Sequence, residues 1–85
     1  MNDEQADGCV RRALLQVVPQ SDVAQLSPDE PLRDALEMDS LDFLSFVEHL
    51  SAEAQVRIEE DDYPQLVSYA DCVRFVSTAP VITTG

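Results

Sequence analysis

The feature that most constrains this chain is the apolar run between Leu41 and Leu50. Leu41, Leu44, Val47 and Leu50 recur every three residues, and Phe43 and Phe46 widen the stripe. Spacings of three and four place side chains on one face of a helix. A stripe this wide cannot be covered by a single neighbour, so the helix has to pack against several others. It is expected to run roughly from Ser40 to Ala54. Asp39 is its natural N-cap, and Asp42 lies in the first turn, where the helix dipole favours a carboxylate.

The flanking sequence supplies the neighbours. Asn2 followed by Gln5 resembles a capping box, and Ala6, Val10, Ala13, Leu14, Val17 and Val18 then form one helical face. Gly8 weakens that helix, and Pro19 is expected to end it. From Pro19 to Met38 the periodicity breaks among prolines, serines and aspartates, which predicts a loop of roughly 20 residues. Val23, Leu26, Leu32, Leu36 and Met38 are its expected anchors, and Ser27 to Glu30 is a candidate helical turn. Beyond Gln55, the run from Glu59 to Pro64 allows a short helical piece at most. Ser68 and Asp71 then cap a last helix carrying Tyr69, Cys72, Val73 and Val76. With two glycines and no alternating apolar pattern, the fold class is all-α. The expected bundle has three main helices, one short helix, and a long loop between the first and second main helices. Residues 1–76 are read as one domain and 77–85 as a flexible tail.

Charge narrows the function. Seventeen acidic residues face five basic ones, a formal net charge of −12. Nucleic acid and anionic lipid surfaces would repel such a chain, whereas basic protein surfaces would attract it. No apolar run approaches the ~18 residues of a membrane span, so membrane insertion is not expected. The acidic N-terminus lacks the pattern of a secretory signal. Cys9 and Cys72 fit no metal or redox spacing and read as buried thiols in a reducing, cytoplasmic setting in preference to a single disulfide between them.

Within this frame Ser40 stands out, a hydroxyl where a loop turns into the most apolar helix. Serine at a helix start is ordinarily a capping residue, yet Asp39 fills that role at least as well. A nucleophilic serine needs a base within hydrogen-bond reach. The one histidine, His49, lies on the opposite face of the helix and roughly 13 Å along its axis. Lysine is absent, and no G-x-S-x-G elbow occurs. Catalysis by Ser40 is therefore not expected. The remaining reading is a hydroxyl that another enzyme loads.

The segment Met38-Asp39-Ser40-Leu41-Asp42, leading an apolar helix in a short acidic chain, resembles the acyl carrier proteins. Their motif is Asp-Ser-Leu preceded by an apolar residue, here Asp39-Ser40-Leu41. Leu32 and Leu36 match the family's loop anchors, and Leu44, Val47 and Leu50 match core positions of its central helix. Ile58 matches the following loop anchor, and Leu66, Val73 and Val76 positions on the last helix. The resemblance implies that Ser40 carries 4′-phosphopantetheine, moved from coenzyme A by a phosphopantetheinyl transferase with Mg²⁺. The chain would then be a discrete, monomeric carrier rather than an enzyme. It would present an acyl group as a thioester to loading, transfer or condensing enzymes with basic docking patches. Glu37, Met38, Asp42, Ser45, Glu48, Glu59 and Glu60 are the expected recognition residues. The alternatives are an aminoacyl or peptidyl carrier made by the same modification, or an unmodified acidic adaptor.

Three departures bear on which carrier this is. Glu37 stands where the family often has glycine. Ser45, Ser51 and Ala52 stand where fatty-acid carriers often show acids, although the segment from Glu37 to Asp62 still holds nine acids against Arg57 alone. Phe43 and Phe46 are bulky where smaller side chains are common, which implies a short, polar or exposed cargo. These differences point to a specialised carrier rather than the main fatty-acid one. Arg33, near the site in sequence, reads as a solvated surface residue in preference to one that contacts a phosphate.

Overall fold

The computed structural model describes residues 1–80. Three main helices form the frame: α1 (Asp3–Leu15), α4 (Ser40–Ala54) and α5 (Tyr69–Thr78). Between α1 and α4 lie two short helices, α2 (Gln20–Ala24) and α3 (Leu32–Ala35), and a 3₁₀ helix spans Glu60–Gln65 before α5. The all-helical bundle matches expectation, with two additional short helices wound from the long loop.

Each main helix begins where a side chain can satisfy its free amides. At α1 the Asn2 carboxamide oxygen accepts from the Gln5 amide at 2.8 Å, while the Asn2 amide donates back to Gln5 Oε1 at 3.2 Å. At α5 the Ser68 hydroxyl accepts from the Asp71 amide at 3.1 Å, and the Asp71 carboxylate accepts from the Ser68 amide at 3.3 Å. These are the reciprocal caps that the sequence pattern predicts. α1 ends at Leu15, before Pro19, in turns that bond Val17 and Val18 back to the Leu14 carbonyl. Pro19 instead opens α2 from its N-cap position.

The long loop is ordered by the far end of the chain. The Leu32 amide donates to the Val67 carbonyl at 2.7 Å, and the Ala70 amide donates to the Pro28 carbonyl at 3.0 Å. With Leu32 wholly buried, these bonds fix the segment against the start of α5. Residues 27–30 form a turn closed by the Glu30 amide on the Ser27 carbonyl, rather than the helical turn expected there.

Phe46, Leu14, Leu32, Leu50, Leu66, Val10, Val56 and Val76 are fully enclosed at the centre of the core. α4 contributes Phe43, Phe46, Val47, Leu50 and Ala54, a set spaced by three, four and seven. Leu41 and Leu44 do not join it, being 76% and 40% exposed. A repeat of three drifts against a helix of 3.6 residues per turn: at ~100° per residue, Leu44 stands about 60° and Leu41 about 120° from Val47, away from the phenylalanines. Their expected core placement is corrected to the surface.

Cys9 and Cys72 are both free and buried, and burial, reinforced by the charge of Asp71, pushes the Cys72 thiol up to about 12. Tyr69 ties α5 to α1 by donating its hydroxyl to Asp7 Oδ1 at 2.6 Å. Burial first, and that hydrogen bond second, push its hydroxyl up to about 12. An Arg12–Glu53 pair at 2.9 Å joins α1 to α4. No described helix is long and apolar enough to cross a membrane. α5 extends to Thr78, beyond its expected end near Val76; residues 81–85 of the expected tail lie outside the described residues.

Candidate functional site

The turn that delivers Ser40 is built from backbone geometry that few residues adopt willingly. Glu37 follows α3 with φ of 52°, in the left-handed region that favours glycine. This reversal lets the Met38 amide donate to the Arg33 carbonyl at 2.9 Å, the closing bond of a Schellman turn. Glutamate therefore holds a backbone that glycine would adopt freely, at a cost in strain. Met38 is buried, 5% exposed. Its expected role as a loop anchor holds, and its expected role in partner recognition is corrected, because a partner cannot reach it.

After this turn the chain extends at Asp39, whose carboxylate accepts from the Asp42 amide at 2.8 Å. Asp39 is thus the cap, as expected, which leaves Ser40 in the first helical position with its hydroxyl uncommitted to capping. Ser40 and Leu41 are exposed. The guanidinium of Arg33 donates to Ser40 Oγ at 3.3 Å. An arginine has no lone pair to take a proton, so the neighbour of this hydroxyl cannot serve as a general base. His49 lies nine positions further along α4.

Beside Ser40 opens a cleft of about 540 Å³ between α4 and the 3₁₀ helix, lined by Arg33, Phe43, Leu44, Tyr63, Leu66 and Val67 among others. Its surface is mostly apolar. Tyr63 meets Phe43 edge to face, with ring centroids 5.5 Å apart, a favoured aromatic geometry. Phe46 lies behind, its ring tilted by 53° to that of Phe43 with centroids 6.2 Å apart, and is fully buried. Arg33 closes the layer on the Ser40 side, its guanidinium carbon 5.6 Å from the Phe43 ring centroid.

Of the expected recognition residues, Glu37, Asp42, Glu48, Glu59 and Glu60 are exposed and Ser45 is half-buried. Glu60 borders the cleft, and Glu59 pairs with Arg57 at 3.6 Å. The exposed Leu41, Leu44 and Val67 were not expected at the surface. Arg33 approaches Ser40, which agrees with the less favoured of its two sequence readings; the cue was a lone cation seven positions before the serine.

Fold and site together define a small helical domain that displays one hydroxyl at the mouth of an apolar cleft. A family described as the phosphopantetheine attachment site matches residues 10–76, and the chain belongs to that family. No curated protein and no solved structure matches the chain. Members of the family are defined by covalently attached 4′-phosphopantetheine; they act as carriers, not as catalysts. The protein is accordingly a phosphopantetheine-dependent carrier, served by a phosphopantetheinyl transferase and by partner enzymes.

Proposed function

We propose that Ser40 is the attachment point and that the protein carries an acyl group between biosynthetic enzymes as a specialised carrier. The observation that carries this reading is the exposed Ser40 hydroxyl, free of capping duty, at the edge of a mostly apolar cleft. The residues present fit the group: a hydroxyl for the ester, a cation beside it for the phosphate, and apolar walls for the rest of the arm. When bound, the arm supplies a terminal thiol that holds the cargo as a thioester. Ser40 Oγ would take the arm from coenzyme A, its new P–O bond forming as the pyrophosphate link of coenzyme A breaks and adenosine 3′,5′-bisphosphate leaves. The proton that Ser40 releases would go to the transferase, because Arg33 is a donor and the Asp39 carboxylate is engaged by the Asp42 amide.

The apolar cleft supports an acyl cargo over an aminoacyl or peptidyl one. Phe46 in the core and Phe43 on the cleft floor fill the space between the helices, which supports a short chain lying near the surface. Leu44 and Val67 border the cleft together with Glu60, and Leu41, Asp42 and Glu48 are exposed along α4. That arrangement suits a partner enzyme with a basic rim around an apolar pocket. The buried free thiols support a reducing, cytoplasmic setting.

The test is loading followed by competition. Incubation with coenzyme A, Mg²⁺ and a promiscuous transferase should produce the holo form. Acyl-loading enzymes should then charge it in preference to aminoacyl-adenylating ones. Preferential charging with amino acids would replace the acyl reading, and failure of every transferase to modify the chain would favour an unmodified adaptor.

A further inference from the structure

We infer that Arg33 is a positioning residue for the phosphodiester, holding the first segment of the arm on the cleft side of Ser40. This inference rests on the reading of Ser40 as the attachment point. Its starting observation is an anomaly of charge. Among five arginines in a chain with seventeen carboxylates, four form ion pairs: Arg11–Asp7 at 3.6 Å, Arg12–Glu53 at 2.9 Å, Arg57–Glu59 at 3.6 Å and Arg74–Asp71 at 3.3 Å. Arg33 forms none with the described residues. It donates instead to Ser40 Oγ at 3.3 Å and lies 5.6 Å over the Phe43 ring.

Both ends of this side chain are fixed by the fold. Its backbone carbonyl closes the turn after α3 by accepting from the Met38 amide at 2.9 Å, and the preceding residue, Leu32, is wholly buried. Its planar head is held over the face of Phe43, a favourable seat for a cation. Four carboxylates, those of Asp34, Glu37, Asp39 and Asp42, are close in sequence to Ser40. An added phosphodiester brings a further negative charge into that surround. Arg33 is the nearby cation whose charge no carboxylate has claimed. A guanidinium presents several donors in one plane, a geometry matched to phosphate oxygens and distinct from that of an ammonium. The donor now directed at Oγ lies close to where oxygens attached through that atom must lie. Since Arg33 also lines the cleft, a phosphate on its donors biases the arm toward Phe43 and Tyr63 rather than into open solvent. A partner that withdraws the arm would have to break this contact.

The experiment compares apo and holo forms of the full chain by NMR, with loading followed separately by intact mass. In the parent protein, the Arg33 Nε–H resonance should shift on loading. The ³¹P resonance of the holo form should relax at least twofold faster than that of the same protein unfolded in urea. In Arg33→Gln the excess ³¹P relaxation should be lost, and Arg33→Lys should restore only part of it, since it returns charge without the fork. Circular dichroism of each variant reports folding, and the parent's apo-to-holo shift needs no variant at all. Full loading with an unmoved Arg33 signal, or with ³¹P relaxation equal in parent and Arg33→Gln, would overturn the role of Arg33 and leave the Ser40 reading intact. No mass gain in the parent would overturn the Ser40 reading and this inference with it.

Discussion

Replacing Glu37 by glycine should stabilise the protein while leaving Ser40 in place. With φ of 52°, Glu37 holds a left-handed backbone that costs a residue with a Cβ about 1–2 kcal/mol. Glycine escapes that cost but loses more backbone freedom on folding, which returns about 0.5–1 kcal/mol. The net expectation for Glu37→Gly is a gain of about 0.5–1 kcal/mol, or about 2–8 °C in Tm for a domain of this size. Removing one negative charge from a chain of −12 acts in the same direction, so Glu37→Gln is the necessary control: it removes the charge and keeps the strain. Urea titrations and thermal melts of the three proteins should rank glycine above glutamine and glutamine at or slightly above glutamate. The transferase should load all three. A Glu37→Gly variant no more stable than Glu37→Gln would refute the strain argument, and lost loading would show that the glutamate side chain itself is read.

The same geometry has other consequences. Asp39→Ala should cost about 1 kcal/mol by chemical denaturation, the usual loss of an N-cap, whereas Asp39→Asn should be close to neutral. Leu41→Ala should change stability by less than about 0.5 kcal/mol, since the side chain is 76% exposed, yet lower kcat/KM of a partner enzyme several-fold. Tyr69 is pushed from 10.0 up to about 12 in the folded protein. A raised pKa contributes stability that is complete below the unfolded value and is lost as pH climbs through the folded one. Stability measured between pH 10 and 12 should therefore fall less steeply in Tyr69→Phe than in the parent, with the Cys72 thiol, also raised to about 12, supplying part of the remaining slope. Equal slopes would show that Tyr69 is not held in solution in the buried, Asp7-bonded setting that raises its pKa.

The parts of the fold legible in the sequence are those encoded locally. Caps at Asn2, Asp39 and Ser68 need only a side chain and an amide three residues on, and all three are formed. Leu32 and Leu36 are readable as apolar anchors among loop residues and Val76 by helical spacing, whereas Leu66 is readable only through the family resemblance, and it is buried ahead of α5 and not on it. The illegible parts depend on distant partners or on helical phase. The segment after Pro19 reads as loop because its order comes from hydrogen bonds to Val67 and from Ala70, residues far along the chain. Leu41 and Leu44 look like core because a repeat of three approximates a helical period, and only the actual neighbours of α4 decide which edge of the stripe is covered. Met38 reads both as an anchor and as a recognition residue; the turn at Glu37 directs it inward. At the site, Ser40 and Asp39 stand out by motif. The contact of Arg33 with Ser40 arises because α3 and the Schellman turn bring two positions seven apart into hydrogen-bond range.

The central claim, that Ser40 is the hydroxyl that is loaded, is tested most directly by intact mass and peptide mapping after incubation with coenzyme A, Mg²⁺ and a promiscuous transferase. The mass should rise by ~340 Da, with the gain located on the peptide containing Ser40 and absent from Ser40→Ala. A gain that persists in Ser40→Ala, or none in the parent protein with any transferase, would contradict that claim.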